Sequence, residues 1–166
     1  MRVLGVDPGL AATGIAVIEK RPEGPRARLA GVIRTPTGLS QAERLALLRA
    51  RLVELLESER PDAAAVERLF FNSNVKTAMA VGQASGVVLA TVAELGIEVT
   101  TYTPPEVKQS VVGVGNADKH QVGVMVAAVL GLERAPTPAD AADACALAIC
   151  HINRSGLRNA VKAASG

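Results

Sequence analysis

The chain has 166 residues, 49% of them hydrophobic, with 18 Lys plus Arg against 16 Asp plus Glu and a formal net charge of +2. That length suits one globular domain with a full core, and the near balance of charge excludes a strongly basic footprint, so any nucleic-acid role must rest on where the cations stand. With no Trp, one Tyr and two Phe, each aromatic outside the core stands out.

The first predicted strand covers residues 1–6 and runs into Asp7, Pro8 and Gly9. It is apolar on both faces and so belongs mid-sheet, which leaves Asp7 where the chain departs from the core. Asp-Pro-Gly is turn chemistry; the Asp7 carboxylate either caps that turn or has a further task. Strands over 13–19 and 28–34, with turn signals between, complete an antiparallel meander. From 40 to 60 the apolar positions Leu45, Leu48, Leu52, Leu55 and Leu56 recur at helical spacing, leaving Arg44, Arg51, Glu54 and Glu57 for outer faces. A buried strand over 63–69, a helix over 74–95 and a fifth strand over 97–103 follow. Short helices are expected from Pro105 and from Ala117, and a last one from Ala139 to His151 or beyond.

This order implies an α/β fold: a mixed five-stranded sheet, three strands in a meander and then parallel strands, with helices on both faces. Residues 1–166 form a single domain, whose last ~10 residues are expected to fray. Cys145 and Cys150 lie five apart, and at ~100° per residue they face different ways, so no disulfide joins them and a reducing compartment suits the chain. The apolar run over 81–93 is broken by Gln83, Ser85 and Thr91 and falls short of the ~20 residues of a membrane span. With no secretory signal pattern at the N-terminus, a soluble cytoplasmic protein without membrane association is expected.

Four acids lack polar surroundings: Asp7, Glu67, Asp140 and Asp143. Glu67 ends its strand as Asp7 ends the first, so parallel adjacent strands deliver both carboxylates to the sheet edge where α/β proteins place ligands. Asp140 and Asp143 share a helix face at i, i+3 in an otherwise apolar segment. Asp140 alone could complement the helix dipole; Asp143, a turn deeper, needs a positive partner or a proton. Carboxylates from separate elements, with no His or Cys cluster, favour Mg²⁺ or Mn²⁺ over Zn²⁺. Four such donors suit two ions ~3.5–4 Å apart, the arrangement used for in-line attack on phosphodiesters. A lone G-x-G at 113–115 and seven Ser without a nucleophile-elbow context offer little else.

The motifs "GVDPG" at 5–9, "TG" at 13–14, "VERLFF" at 66–71, "VGQASGV" at 81–87, "VKQSVVGVGNADKHQV" at 107–122 and "ADAADACALAICH" at 139–151 together resemble the RuvC family. These are the bacterial Holliday-junction resolvases of the ribonuclease H-like superfamily. The resemblance covers almost the whole chain in order. It implies a ribonuclease H-like nuclease domain, a metal-dependent endonuclease acting on four-way DNA junctions as a homodimer in recombination and repair, and a branch-migration partner complex of RuvA and RuvB. Residue by residue it implies an acidic tetrad at Asp7, Glu67, Asp140 and Asp143, an active-site lysine at Lys119, a second basic position at Lys108 and a junction-sensing aromatic at Phe70.

Other residues keep two readings. An Asn116 cap on a helix starting at Ala117 would put Lys119 where a cation opposes the dipole by ~0.3–1 kcal/mol, compensated by a scissile phosphate or merely screened by water. Lys108, Lys76 and Arg68 line a DNA path or are surface charges. Phe70 stacks on an unpaired base or fills core, while Phe71 serves packing. Ala78, Gly82, Gly86 and Ala90 form a small-residue stripe that packs inside the monomer or meets a two-fold mate. Arg154, Arg158 and Lys162, at i, i+4 and i+8, face DNA or complement a helix C-terminus. An actin-like ATPase shares the opening pattern but needs two such domains, and a non-cutting junction binder would not need all four acids.

Overall fold

The computed structural model describes residues 1–68 and 75–164, with side chains for 1–68 and 78–156. Five strands form one sheet: β1 (Arg2–Asp7), β2 (Ala12–Glu19), β3 (Arg26–Arg34), β4 (Ala63–Glu67) and β5 (Glu98–Tyr102), in the order β3-β2-β1-β4-β5. β1 is antiparallel to β2, and β2 to β3; β1 is parallel to β4, and β4 to β5. The expected meander followed by parallel strands is the observed topology, with β1 central because Val3, Leu4 and Val6 are buried on both faces.

The helices are α1 (Gln41–Glu59), α2 (Val75–Glu94), α3 (Pro104–Val112), α4 (Lys119–Leu130) and α5 (Ala139–Ala164). Side-chain alternation along the strands splits the core into two. Val3, Ala16 and Ile18 join Val107, Val126 and Leu147 of α3, α4 and α5 on one face. Leu4, Val6 and Val17 join Leu48, Leu52, Val88 and Val92 of α1 and α2 on the other.

Local signals set the helix ends. Ser40 caps α1 in a reciprocal capping box with Glu43, and Arg60 closes it in the left-handed region at φ 47°. Thr103 does the same for α3 with Glu106; caps of this kind contribute ~1 kcal/mol each. Arg44 departs from the outward position its spacing predicts. It is half-buried and donates to Thr35 Oγ1 at 2.9 Å and to the Leu10 carbonyl at 3.4 Å, fastening α1 to the loop after β1.

The predicted start of α4 is corrected. Asp118, not Asn116, is the N-cap, because its carboxylate accepts from Gln121 N while Gln121 Oε1 accepts from Asp118 N. Ala117 instead turns into the core at 2% exposure. Lys119 therefore stands at the first helical position. α5 continues well past His151, with no proline after Pro138 to stop it.

Candidate active site: a carboxylate cleft at the sheet edge

β1 and β4 run in parallel register with Val6 opposite Val66, so Asp7 and Glu67 leave the sheet side by side. On the other flank Asp7 is paired with Gly14 of β2. The first turns of α5 bring Asp140 and Asp143 over this edge, and one carboxylate oxygen from each of Asp7, Asp140 and Asp143 lies within 4.8 Å of the others. Glu67 joins the group through a side-chain hydrogen bond with Asp7. All four acids are half-buried.

Three of them, Asp7, Glu67 and Asp143, open onto a cleft of about 270 Å³ that Lys108 and Lys119 also border, with Val107 and Val122 as apolar wall. Thr13, 1% exposed, clamps the turn behind Asp7: its hydroxyl donates to Gly9 O at 2.7 Å and accepts from Gly9 N at 3.4 Å. In the sequence the Thr-Gly pair is legible only as part of a motif; the clamp is what the threonine does.

Burial pushes the Asp7 carboxyl up to about 8, assisted by the negative charges of Glu67, Asp143 and Asp140. Burial raises Glu67 too, opposed by its hydrogen bond from Asp7 and by the nearby Lys119. A proton held between two carboxyls marks a site with more negative charge than its surroundings neutralise. Lys119 Nζ is 3.1 Å from Asp143 Oδ2, and this contact holds the ammonium above its ordinary range. The anion that compensates a cation at the α4 N-terminus is thus Asp143, with Lys119 itself reaching over the cleft.

Other candidates fall elsewhere. Arg68 is exposed and donates to Thr101 Oγ1 at 3.2–3.3 Å. Arg154 pairs with Glu106 at 2.9 Å and stands 5.4 Å over the Tyr102 ring. It stands in mid-helix, ten residues before the end of α5, so it is not the cation of a helix C-terminus. Phe70, Phe71 and the side chains of Lys76, Arg158 and Lys162 lie outside the described residues. Gly86 and Ala90 face outward on α2, and a Cβ added at Gly86 would meet nothing within 4 Å, so this end of the stripe is not packed inside the monomer. Cys145 and Cys150 are free and buried, and burial pushes the Cys145 thiol up to about 12, as expected of structural thiols.

A family profile described as "Crossover junction endodeoxyribonuclease RuvC" matches residues 3–151. The chain belongs to the RuvC family. A crossover junction endodeoxyribonuclease RuvC of Moorella thermoacetica is 49% identical over 166 residues, covering 100% of this chain and 99% of the relative. The Thermus thermophilus RuvC structure superposes with a TM-score of 0.88 at 37% identity, covering 95% of this chain and 96% of that one. The yeast mitochondrial Holliday junction resolvase Ydc2, at 16% identity, TM-score 0.69 and coverage of 97% and 83%, shares the fold. Curated RuvC relatives of nearly full coverage make the chain a member of a nuclease family.

The donors fit the divalent ion that RuvC membership implies. They are all carboxylate oxygens, which suits a hard cation, and the proton between Asp7 and Glu67 is what a cation would replace. A pH effect follows. Because the folded chain holds the Asp7 proton more tightly than the unfolded chain, that contribution to stability is complete below ~4 and fades as pH rises through about 8. In chelator, wild-type Tm is expected to fall from about pH 6 to about pH 9 relative to Asp7→Asn, which lacks the ionisation. Parallel Tm curves for the two proteins would contradict the raised carboxyl.

Proposed function

We propose that this RuvC-family chain resolves four-way DNA junctions by paired symmetric nicks, in homologous recombination and repair. The observation that carries the reading is the convergence of Asp7, Asp140 and Asp143, with Glu67 bonded to Asp7 and Lys119 at the rim. Support for the substrate comes from the T. thermophilus RuvC complex with Holliday junction substrate, 38% identical with a TM-score of 0.88 and coverage of 93% and 94%.

Asp7, Glu67, Asp140 and Asp143 would hold the metal, Mg²⁺ or Mn²⁺ and two ions by donor count. A bound ion of this kind polarises a phosphodiester and activates water. Lys119, 3.1 Å from Asp143 and at the cleft border, would offer its ammonium to charge developing on the scissile phosphate. Lys108 offers a second cation on the cleft border, while Phe70 is assigned to loosened bases at the junction centre. Arg68 and Lys76 remain candidates for the flanking DNA path. The test is cleavage of a synthetic four-way junction beside a linear duplex of the same sequence, with and without chelator.

Two symmetric nicks call for two related sites, and we assign a homodimer with the α2 stripe at its interface. The exposed Gly86 and Ala90, with Met79 at 61% exposure on the same helix, support this choice. Light scattering should give twice the 17.1 kDa chain mass, and Gly86→Leu should weaken the dimer ~10-fold or more without lowering Tm. Unchanged association of a folded Gly86→Leu protein would move the interface elsewhere. A cytoplasmic setting agrees with two free buried cysteines, and none of the described helices is long and apolar enough to cross a membrane. The RuvA and RuvB partnership is proposed from family membership.

A further inference from the structure

Two glycines of the sheet lie where α5 crosses it. A Cβ on Gly5 would stand 1.9 Å from the Ala144 carbonyl oxygen, and one on Gly14 would stand 2.0 Å from that of Asp140 and 3.2 Å from the Asp140 Cβ. The closest contacts are to backbone, so no rotamer change relieves them. Gly31 in β3 has nothing within 4 Å, which shows that this close approach belongs to the α5 crossing and not to every glycine in the sheet.

Gly14 differs from Gly5 in what flanks it. In the sheet its partner is Asp7, and above it lies the peptide of Asp140. A single residue without a side chain therefore separates the backbone positions of two carboxylates. Gly5 lies deeper, against Ala144 and Ala148, both fully buried.

We infer that Gly14 is a positioning residue of the metal site. Its missing Cβ sets how deeply the first turn of α5 rests on β2, and hence how far Asp140 and Asp143 stand from Asp7. The inference rests on the metal-site reading above. A methyl at Gly14 must reach at least 3.0 Å from Asp140 O, against 2.0 Å as the chain stands, so the α5 start is lifted by roughly 1 Å, a strain that a close-packed interior transmits rather than absorbs. Asp140 is half-buried and in the first turn, next to the 131–138 connection, so this end of the helix can yield while its buried middle stays. Mg²⁺ demands near-ideal octahedral geometry at ~2.0–2.1 Å, whereas Ca²⁺ accepts longer, irregular contacts of ~2.3–2.6 Å. Widening the cluster should cost Mg²⁺ more than Ca²⁺.

The experiment measures binding of Mg²⁺ and of Ca²⁺ by calorimetry and by the Tm rise each produces, without DNA. Gly14→Ala is expected to bind Mg²⁺ at least ~10-fold more weakly with a smaller loss for Ca²⁺, and Gly31→Ala to match wild type. Adding Asp140→Glu, which lengthens the lifted side chain by one methylene, should return part of the Mg²⁺ affinity to Gly14→Ala while lowering it in wild type. Gly5→Ala should lose more Tm than Gly14→Ala. Equal Mg²⁺ affinity in wild type and Gly14→Ala overturns the inference and leaves the metal site standing. A Gly14→Ala chain that no longer folds overturns it too, because the contact would then serve the core as at Gly5. A wild type that binds neither ion, by contrast, removes the metal-site reading itself.

Discussion

Replacing Asp7 by Asn is expected to lower junction cleavage by ~10³-fold or more while leaving junction affinity nearly native. On the proposed reading this carboxylate is a donor to the cation, with oxygens of Asp140 and Asp143 within 4.8 Å of its own, whereas affinity for DNA comes chiefly from cations meeting phosphates. The amide keeps the size of the side chain and removes the ionisable carboxyl that burial, with its acidic neighbours, pushes up to about 8. Folding should therefore survive, and the metal-free variant should melt no lower than wild type at neutral pH. Glu67→Gln, Asp140→Asn and Asp143→Asn are expected to behave alike in cleavage. Single-turnover rates and gel-shift affinities on the same junction separate the two effects. An Asp7→Asn enzyme cutting at native rate contradicts the assignment of the acids.

Lys119→Ala is expected to reduce cleavage ~10²–10³-fold, the usual effect of removing one preorganised donor from a developing oxyanion. Its ion pair with Asp143 joins a side chain that is 78% exposed, so the contact adds little to stability, and Tm should hardly move. Junction binding should weaken only by the loss of one phosphate contact. Lys119→Arg should recover part of the rate, since charge is kept and the compact ammonium is not. If Lys119 is merely a solvated lysine, Lys119→Ala cuts normally.

The fold is legible in the sequence where pattern and packing agree. β1 reads as central because it is apolar on both faces, and it is; the leucines of α1 mark its buried side, and four of them are buried. Asp7, Glu67, Asp140 and Asp143 are legible because an acid in apolar sequence has no ordinary solvent to face. Parallel pairing of β1 with β4 and the α5 crossing then bring them together.

What stays hidden depends on long-range partners or on a competing local signal. Asp118 outcompetes Asn116 for the α4 cap because Gln121 completes the reciprocal bond; Asp-x-x-Gln at 118–121 is the local signal that marks it. Arg154 reads as a DNA-facing or terminal cation, because nothing near it in sequence reveals Glu106 and Tyr102 across 48 and 52 positions. Arg44 turns inward for the same reason. Gly14 is visible only as half of a Thr-Gly motif, and its closeness to Asp140 exists only once α5 lies on the sheet.

Mapping cuts on a four-way junction whose four strands are end-labelled in turn tests the central claim most directly. With Mg²⁺ or Mn²⁺ the wild-type protein is predicted to nick two strands at symmetry-related positions across the junction centre, and neither chelator-treated wild type nor Asp7→Asn should nick at all. Nicks scattered over the arms, equal cutting of linear duplex, or cleavage that persists in chelator would contradict it.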